Sequence, residues 1–135
     1  RPAPPAGASA AHCREAFTAL RQRYPKASAV VASNDWHLLH LLAAAKAAGL
    51  RLPQDLSAVG FDDLDAAALA SPPLMTIRQD FYEIGYLATQ LLYQRLTQTP
   101  PREPYPPVRI RIQPRLIVRG SVAAGSGRQP AHAPA

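Results

Sequence analysis

Three short apolar runs in this chain each end on polar side chains suited to hydrogen bonding. Asn34-Asp35 follows "AVVAS", Asp62-Asp63 follows "LSAVGF", and Arg78-Gln79-Asp80 follows "MTI". An amide both donates and accepts, and each carboxylate oxygen accepts. If these positions share one rim, Asn34, Asp62 and Gln79 suit a polyhydroxylated or heterocyclic small molecule. Trp36 and Phe81 would then offer an apolar wall or stacking face. The same residues also have a purely architectural reading, in which Asn34 and Asp35 cap a helix and Asp62-Asp63 make a turn. From residue chemistry alone the two readings weigh about equally.

Other chemistry finds less support. His37 and His40 are three apart on a helical stretch and can face one way, but no third ligand accompanies them, and a catalytic zinc takes three protein ligands. The acidic run "DDLD" at 62–65 lacks the glycine and distal glutamate of an EF-hand loop. Cys13 beside His12 is no nucleophile–base pair, because the fold and not the sequence brings such partners together. There is no G-x-S-x-G and no P-loop. Glu15 and Glu83 read as helix-surface charges. A binding protein without cofactor or metal is expected, not an enzyme.

The elements that must position these residues follow from periodicity. Residues 1–8 are rich in Pro, Ala and Gly and predict a flexible segment. Cys13, Phe17, Leu20 and Tyr24 recur at helical spacing, with Ser9 as a possible N-cap and Pro25 as the stop. Residues 29–33 predict a buried strand, 36–48 a helix with Asp35 at its cap and Gly49 at its end, and 56–61 a second buried strand. This is a βαβ unit, whose crossover is right-handed. A short strand is expected at 75–78. A long amphipathic helix should follow over 81–96, with Phe81, Ile84, Ala88, Leu91, Leu92 and Leu96 on one buried stripe. Val108, Ile110 and Ile112 alternate with Arg109, Arg111 and Gln113, predicting a strand with one wet face, and 116–118 predicts another. The fold class expected is a three-layer α/β lobe with a parallel sheet over 9–120, followed by a disordered tail at 121–135.

The chain has 135 residues, 47 % of them hydrophobic, enough for one domain with a core. No apolar run is long enough for a membrane span. One cysteine permits no internal disulfide and fits a reducing compartment. The net charge of +6 is spread over scattered arginines. No basic cluster interleaved with aromatics suggests a nucleic-acid groove. The start, "RPAPPAGASA", has no signal-peptide core and no initiator methionine, so a processed or truncated N-terminus is expected.

Residues 30–120 resemble the C-terminal part of the effector-binding core of LacI/GalR-family transcriptional regulators. The matching pieces are "ASND" (32–35), "AAGLRLPQDLSAVGFDD" (47–63), "SPPLMTIRQDFYEIGYLATQLL" (71–92) and "PRLIVRGS" (114–121), in matching order and spacing. The closing "LIVRGS" favours the regulators over their periplasmic sugar-binding relatives. The resemblance implies a periplasmic-binding-protein-like fold, incomplete here, in which effector binds between two lobes. It implies effector contacts from Asn34 and Asp62, with Gln79 and Phe81 at or near the same cleft, and Asp35 as a structural cap. It implies a cytoplasmic homodimer that reads operator DNA, as a repressor, through a helix-turn-helix domain absent from this chain. The helix over 36–48 would carry the dimer interface, with Leu38, Leu39 and Leu42 as candidates, and the effector would be a sugar or nucleobase-like molecule. Leu38 and His40 stand where the family usually has small residues, and Met75 where it usually has threonine. The alternatives are a solute-binding protein of the periplasmic type and a truncated fragment without function.

Overall fold

The computed structural model describes residues 10–97 and 107–124. In chain order they form α1 (Ala10–Arg23), β1 (Ala29–Val31), α2 (Asp35–Ala47), β2 (Ser57–Phe61), α3 (Asp65–Leu69), β3 (Met75–Arg78), α4 (Phe81–Thr97) and β4 (Arg115–Ile117). The flexible segment expected at 1–8 lies outside the described residues.

Apolar runs flanked by turn residues produce the sheet. Its order is β1-β2-β3-β4, with β1, β2 and β3 parallel and β4 antiparallel to β3. The register pairs Val31 with Val59, Phe61 with Ile77, and Arg78 with Arg115. Along β2 burial alternates: Ala58 and Gly60 are buried, while Ser57, Val59 and Phe61 are half-buried. Side chains along a strand alternate between faces, so Ala58 and Gly60 share one face.

The helix α2 is the hub of the core. Leu38, Leu42 and Ala45 follow one another at helical spacing and are buried together with Phe17 of α1, Leu52, Leu56, Ala58, Ala67 of α3 and Leu74. Each large aliphatic side chain buried in this way contributes about 1.5–3 kcal/mol. α2 stops where Gly49 adopts a left-handed conformation at φ 77°, with Gly49 N–H donating to the Lys46 carbonyl and Leu50 N–H to the Ala45 carbonyl. α1 is tied back by Arg21 Nη1, which donates to the Ala27 carbonyl at 2.9 Å.

Several expectations change here. Leu38 is wholly inaccessible and Leu42 is 6 % exposed, both in this chain's own core, so neither is free to form a dimer interface; Leu39 is half-buried. The large residue at 38 fills the space over β2. The stripe on α4 exists in sequence, but α4 buries none of its residues. Phe81, Leu92 and Leu96 are mostly exposed, and α4 packs broadly against no other described element. The helices packed together among the described residues are α1, α2 and α3. Residues 107–114 form no strand: Val108 and Ile110 are exposed and no ladder partner lies beside them. Alternation alone does not make a strand when its backbone groups have nothing to pair with. α3 goes beyond the sequence expectation, its five residues being too short for helical periodicity to mark.

The ordered lobe also runs past Gly120. Ser121 is wholly buried: its hydroxyl donates to the Ala58 carbonyl at 2.6 Å and accepts from Met75 N–H at 2.8 Å, and its own carbonyl accepts from Ala58 N–H. It fastens the end of the chain across β2 and β3. Ser121, within the expected tail at 121–135, is thus part of the lobe, and residues 125–135 lie outside those described.

Two substitutions separate core from exposed helix. Leu38→Ala should cost about 2–5 kcal/mol in urea unfolding. Leu92→Ala on α4 should shift stability by less than about 0.5 kcal/mol. Equal losses would show that α4 is packed after all.

Candidate functional site

Parallel sheets place ligands beyond the carboxyl ends of their strands, where the βα turns gather. Asn34 follows β1, Asp62 follows β2 and Gln79 follows β3, each within three residues of its strand's end. Gln79 Nε2 donates to Asp62 Oδ1 at 3.0 Å. Asp62 and Gln79 are thus joined directly, while Asn34 follows the neighbouring strand β1. Phe81 opens α4 with its ring 57 % exposed, and Trp36, 55 % exposed, lies edge-on to His40 with ring centroids 5.3 Å apart. A cavity of about 420 Å³ lies beside Phe17, Arg21 and Leu50, one of about 240 Å³ beside Cys13, Val30, Ser33 and His37, and an open one of about 410 Å³ is lined by Phe81, Tyr82, Gly85, Tyr86 and Thr89.

The helix after β1 reverses the expected roles of its first two residues. Asn34, extended at φ −158° and ψ 169°, is the N-cap: its Oδ1 accepts from His37 N–H at 2.8 Å. That bond leaves both protons of Nδ2 outside the cap. Asp35 is the first helical residue, one position and about 100° further round the helix, and is wholly buried. Its Oδ1 accepts from the Thr76 hydroxyl at 2.6 Å and its Oδ2 from Leu64 N–H at 2.8 Å. Asp35 is therefore structural, as expected, but not as the cap. It fits only because residue 60 is glycine: a Cβ there would run into Asp35 Oδ1 and lie 3.1 Å from Leu38 Cδ2.

The turn after β2 is held in an unusual backbone conformation. Asp62 has φ 98° and Asp63 φ 56°, two consecutive non-glycine residues in the left-handed half of the map. Such residues cost on the order of 1–3 kcal/mol each and persist where their surroundings fix them. Here Asp62 N–H donates to the Ile77 carbonyl at 2.8 Å, Asp63 N–H to Thr76 Oγ1 at 3.3 Å, and Leu64 N–H to Asp35.

The Asp63 side chain, 3 % exposed, accepts from two arginines. Arg119 Nη2 reaches Oδ1 at 2.7 Å, and Arg78 Nε reaches Oδ2. Arg119 also donates through Nη1 to the Leu74 carbonyl at 3.0 Å. Burial pushes the Asp63 carboxyl up, but the hydrogen bonds and charges of Arg119 and then Arg78 outweigh it and hold the group below the usual carboxylate range. Sequence reading missed both Asp63 and Arg119. Residue type alone makes Asp63 part of a turn and gives Arg119 no partner. The adjacency of two aspartates was a signal, but not one that shows which of the pair faces inward.

The histidines part company. His37 Nδ1 lies 2.8 Å from Ser33 Oγ, whereas His40 packs on Trp36. Among the described residues no three His, Cys, Asp or Glu side chains come close enough to hold a metal ion, and no helix is long and apolar enough to cross a membrane.

The lowered Asp63 value fixes a pH dependence. Because the folded value lies below the ordinary 3.8, this group stabilises the fold fully above about pH 4. The contribution is lost as pH falls through the folded value. Asp63→Asn should flatten the acid limb of a stability–pH curve below about pH 4, measured by thermal melts. An unchanged limb would show that the Asp63–Arg119 pair contributes nothing.

Comparison with known proteins agrees with this architecture. Residues 1–122 match the family model described as periplasmic binding protein-like domain. The HTH-type transcriptional regulator MalR of Streptomyces coelicolor is 36 % identical over 102 residues, covering 76 % of this chain and 28 % of that protein. The ribose operon repressor of Escherichia coli is 36 % identical over 108 residues, covering 78 % of this chain and 32 % of the repressor. Among solved structures, the transcriptional regulator CelR in complex with cellobiose superposes with a TM-score of 0.74 at 33 % identity, over 84 % of this chain and 33 % of that one. A LacI family transcriptional regulator from Enterococcus faecium with bound ribose gives 0.71 at 28 % identity, over 85 % and 41 %. The chain spans about a third of the length of the curated relatives it matches. With a parallel-dominated α/β sheet, a polar carboxyl rim and a family match over most of its length, the chain belongs to the periplasmic binding protein-like domain family, in the form found in LacI-family regulators.

Proposed function

We propose that this chain is the effector-sensing portion of a cytoplasmic LacI-type transcriptional regulator, and that its rim binds a small sugar. The observation that carries this reading is the Asp62–Gln79 hydrogen bond just past the carboxyl ends of β2 and β3, with Asn34 following β1. Asp62 offers acceptors to sugar hydroxyls, and the Asn34 Nδ2 protons offer donors. The exposed Phe81 ring supplies a face for the apolar C–H surface of a pyranose or furanose. Relatives hold cellobiose and ribose in their solved complexes, which supports a carbohydrate over a nucleobase.

In the intact protein the exposed apolar face of α4 would pack against a second lobe that closes the other side of the cleft. Operator DNA would be read by a separate N-terminal domain and repression relieved or imposed by the ligand. Effector would act by binding one arrangement of the lobes better than another, since equal affinity shifts nothing. Gln79 lies where the chain leaves β3 for α4, so a ligand bridging Asp62 and Gln79 engages the lobe and its exit together. A homodimer would form on the outward side of α2, where Trp36, Ala43 and Ala47 are exposed, and not on Leu38 or Leu42.

Titration calorimetry with ribose, lactose and cellobiose tests the site. Asp62→Ala should weaken binding of the recognised sugar roughly tenfold or more, the loss expected for hydrogen bonds to a charged group. Its melting temperature should change little, because Asp62 lies outside the core. Undiminished binding would reject the rim as the effector site.

A further inference from the structure

The proposed site leaves one ionic cluster unexplained. Asp63 faces away from the rim and receives Arg119 on one oxygen and Arg78 on the other. A surface ion pair would need no account. This one has a carboxylate 3 % exposed and an arginine 17 % exposed, and Arg119 is further fixed by the Leu74 carbonyl. The two arginines come from different stretches. Arg78 ends β3, and Arg119 lies just after β4. The carboxylate thereby joins the loop after β2 to both neighbouring strands at the point where they leave the sheet.

We propose that Asp63 and Arg119 form a positioning pair that holds Asp62 in its left-handed conformation and so aims the Asp62 carboxylate at the effector. This rests on the assignment of Asp62 to the effector site. The physical argument is directional. Asp62 and Asp63 are consecutive residues with positive φ, and the backbone of such a pair relaxes unless something downstream restrains it. The restraints on Asp63 are its N–H bond to Thr76 Oγ1 and its two arginine bonds. The N–H bond, at 3.3 Å, is the longest of these, so the carboxylate is the tighter tether on Asp63, acting beside the Asp62 N–H bond to the Ile77 carbonyl and the Leu64 N–H bond to Asp35. Release of the side chain would let the turn rotate, and Asp62 Oδ1 would lose its geometry toward Gln79 Nε2.

A positioning role differs from a merely structural one in what it moves. Sugar binding is measured by calorimetry well below the melting temperature of every variant, with wild-type, Asp62→Ala, Asp63→Asn and Arg119→Lys forms of the full chain and with ribose, lactose and cellobiose as probes. Asparagine keeps the size of Asp63 and tolerates the left-handed region, so Asp63→Asn removes the charge and one of the two acceptors without forcing the backbone to change. The expected result is a Kd raised roughly tenfold in Asp63→Asn although its far-UV and near-UV spectra match wild type. Arg119→Lys, which keeps the cation but cannot fork between Asp63 and Leu74, should weaken binding less. Should Asp63→Asn not fold, Arg119→Lys alone decides, with weakened binding expected and an unchanged Kd overturning the proposal. A folded Asp63→Asn with wild-type Kd beside a defective Asp62→Ala would overturn the positioning role and leave the site intact. Full binding in Asp62→Ala would overturn the site and the positioning role with it.

Discussion

The arrangement depends on one buried carboxyl group. Asp35 lies at the first turn of α2, wholly out of solvent, and its two oxygens reach elements far away in sequence: the Thr76 hydroxyl on β3 and the Leu64 amide before α3. A polar group in that position is costly unless both oxygens are satisfied. Satisfying them aligns α2, the loop after β2, and β3 in a single geometry. Thr76 Oγ1 in turn accepts from Asp63 N–H, so a continuous chain of hydrogen bonds runs from the core to the rim. The glycine at 60 is part of the same constraint, because any side chain there would occupy the space of the Asp35 carboxyl group. What looks in sequence like a ligand-facing "ND" is half a helix cap and half a core bolt.

Much of the lobe was readable in the sequence because local pattern and tertiary packing agree. β3 at Met75–Arg78 and the βα alternation through α2 and β2 follow from apolar runs bounded by turn residues, and Gly49 marks the end of α2 as its composition implies. The places of Asn34, Asp62 and Gln79 just past the ends of β1, β2 and β3 were legible for the same reason, since strand ends can be located from strand runs. The division of labour within each polar pair was not. One residue of register decides whether Asn34 or Asp35 caps, and whether Asp62 or Asp63 faces the core. That choice is made by partners such as Thr76 and Arg119, which lie more than forty residues away in sequence.

The misreading of α4 and of residues 107–114 has another source. Periodicity reports which face of an element is apolar, not whether anything lies against it. Phe81, Ile84, Leu92 and Leu96 make a stripe, and Val108, Ile110 and Ile112 make an alternation, yet no described element covers either. The pattern is a record of the environment in which the segment was selected. Leu38 shows the converse: an apolar residue assigned to an interface turned out to fill the interior of its own lobe.

The antiparallel pairing of β3 with β4 has a thermodynamic side. Arg78 and Arg115 lie opposite one another, so residues 79–114 leave and re-enter the lobe as though spliced into the turn of a hairpin. Loop-closure entropy grows only with the logarithm of length, so this detour costs roughly 2–3 kcal/mol more to close than a two-residue turn would. Doubling it would add only about 0.6 kcal/mol. The lobe is thus nearly indifferent to the size of what it carries there, provided that both ends return to the same pair of strands. A segment anchored in this way can be lengthened, exchanged or repacked at little expense to the sheet that bears it.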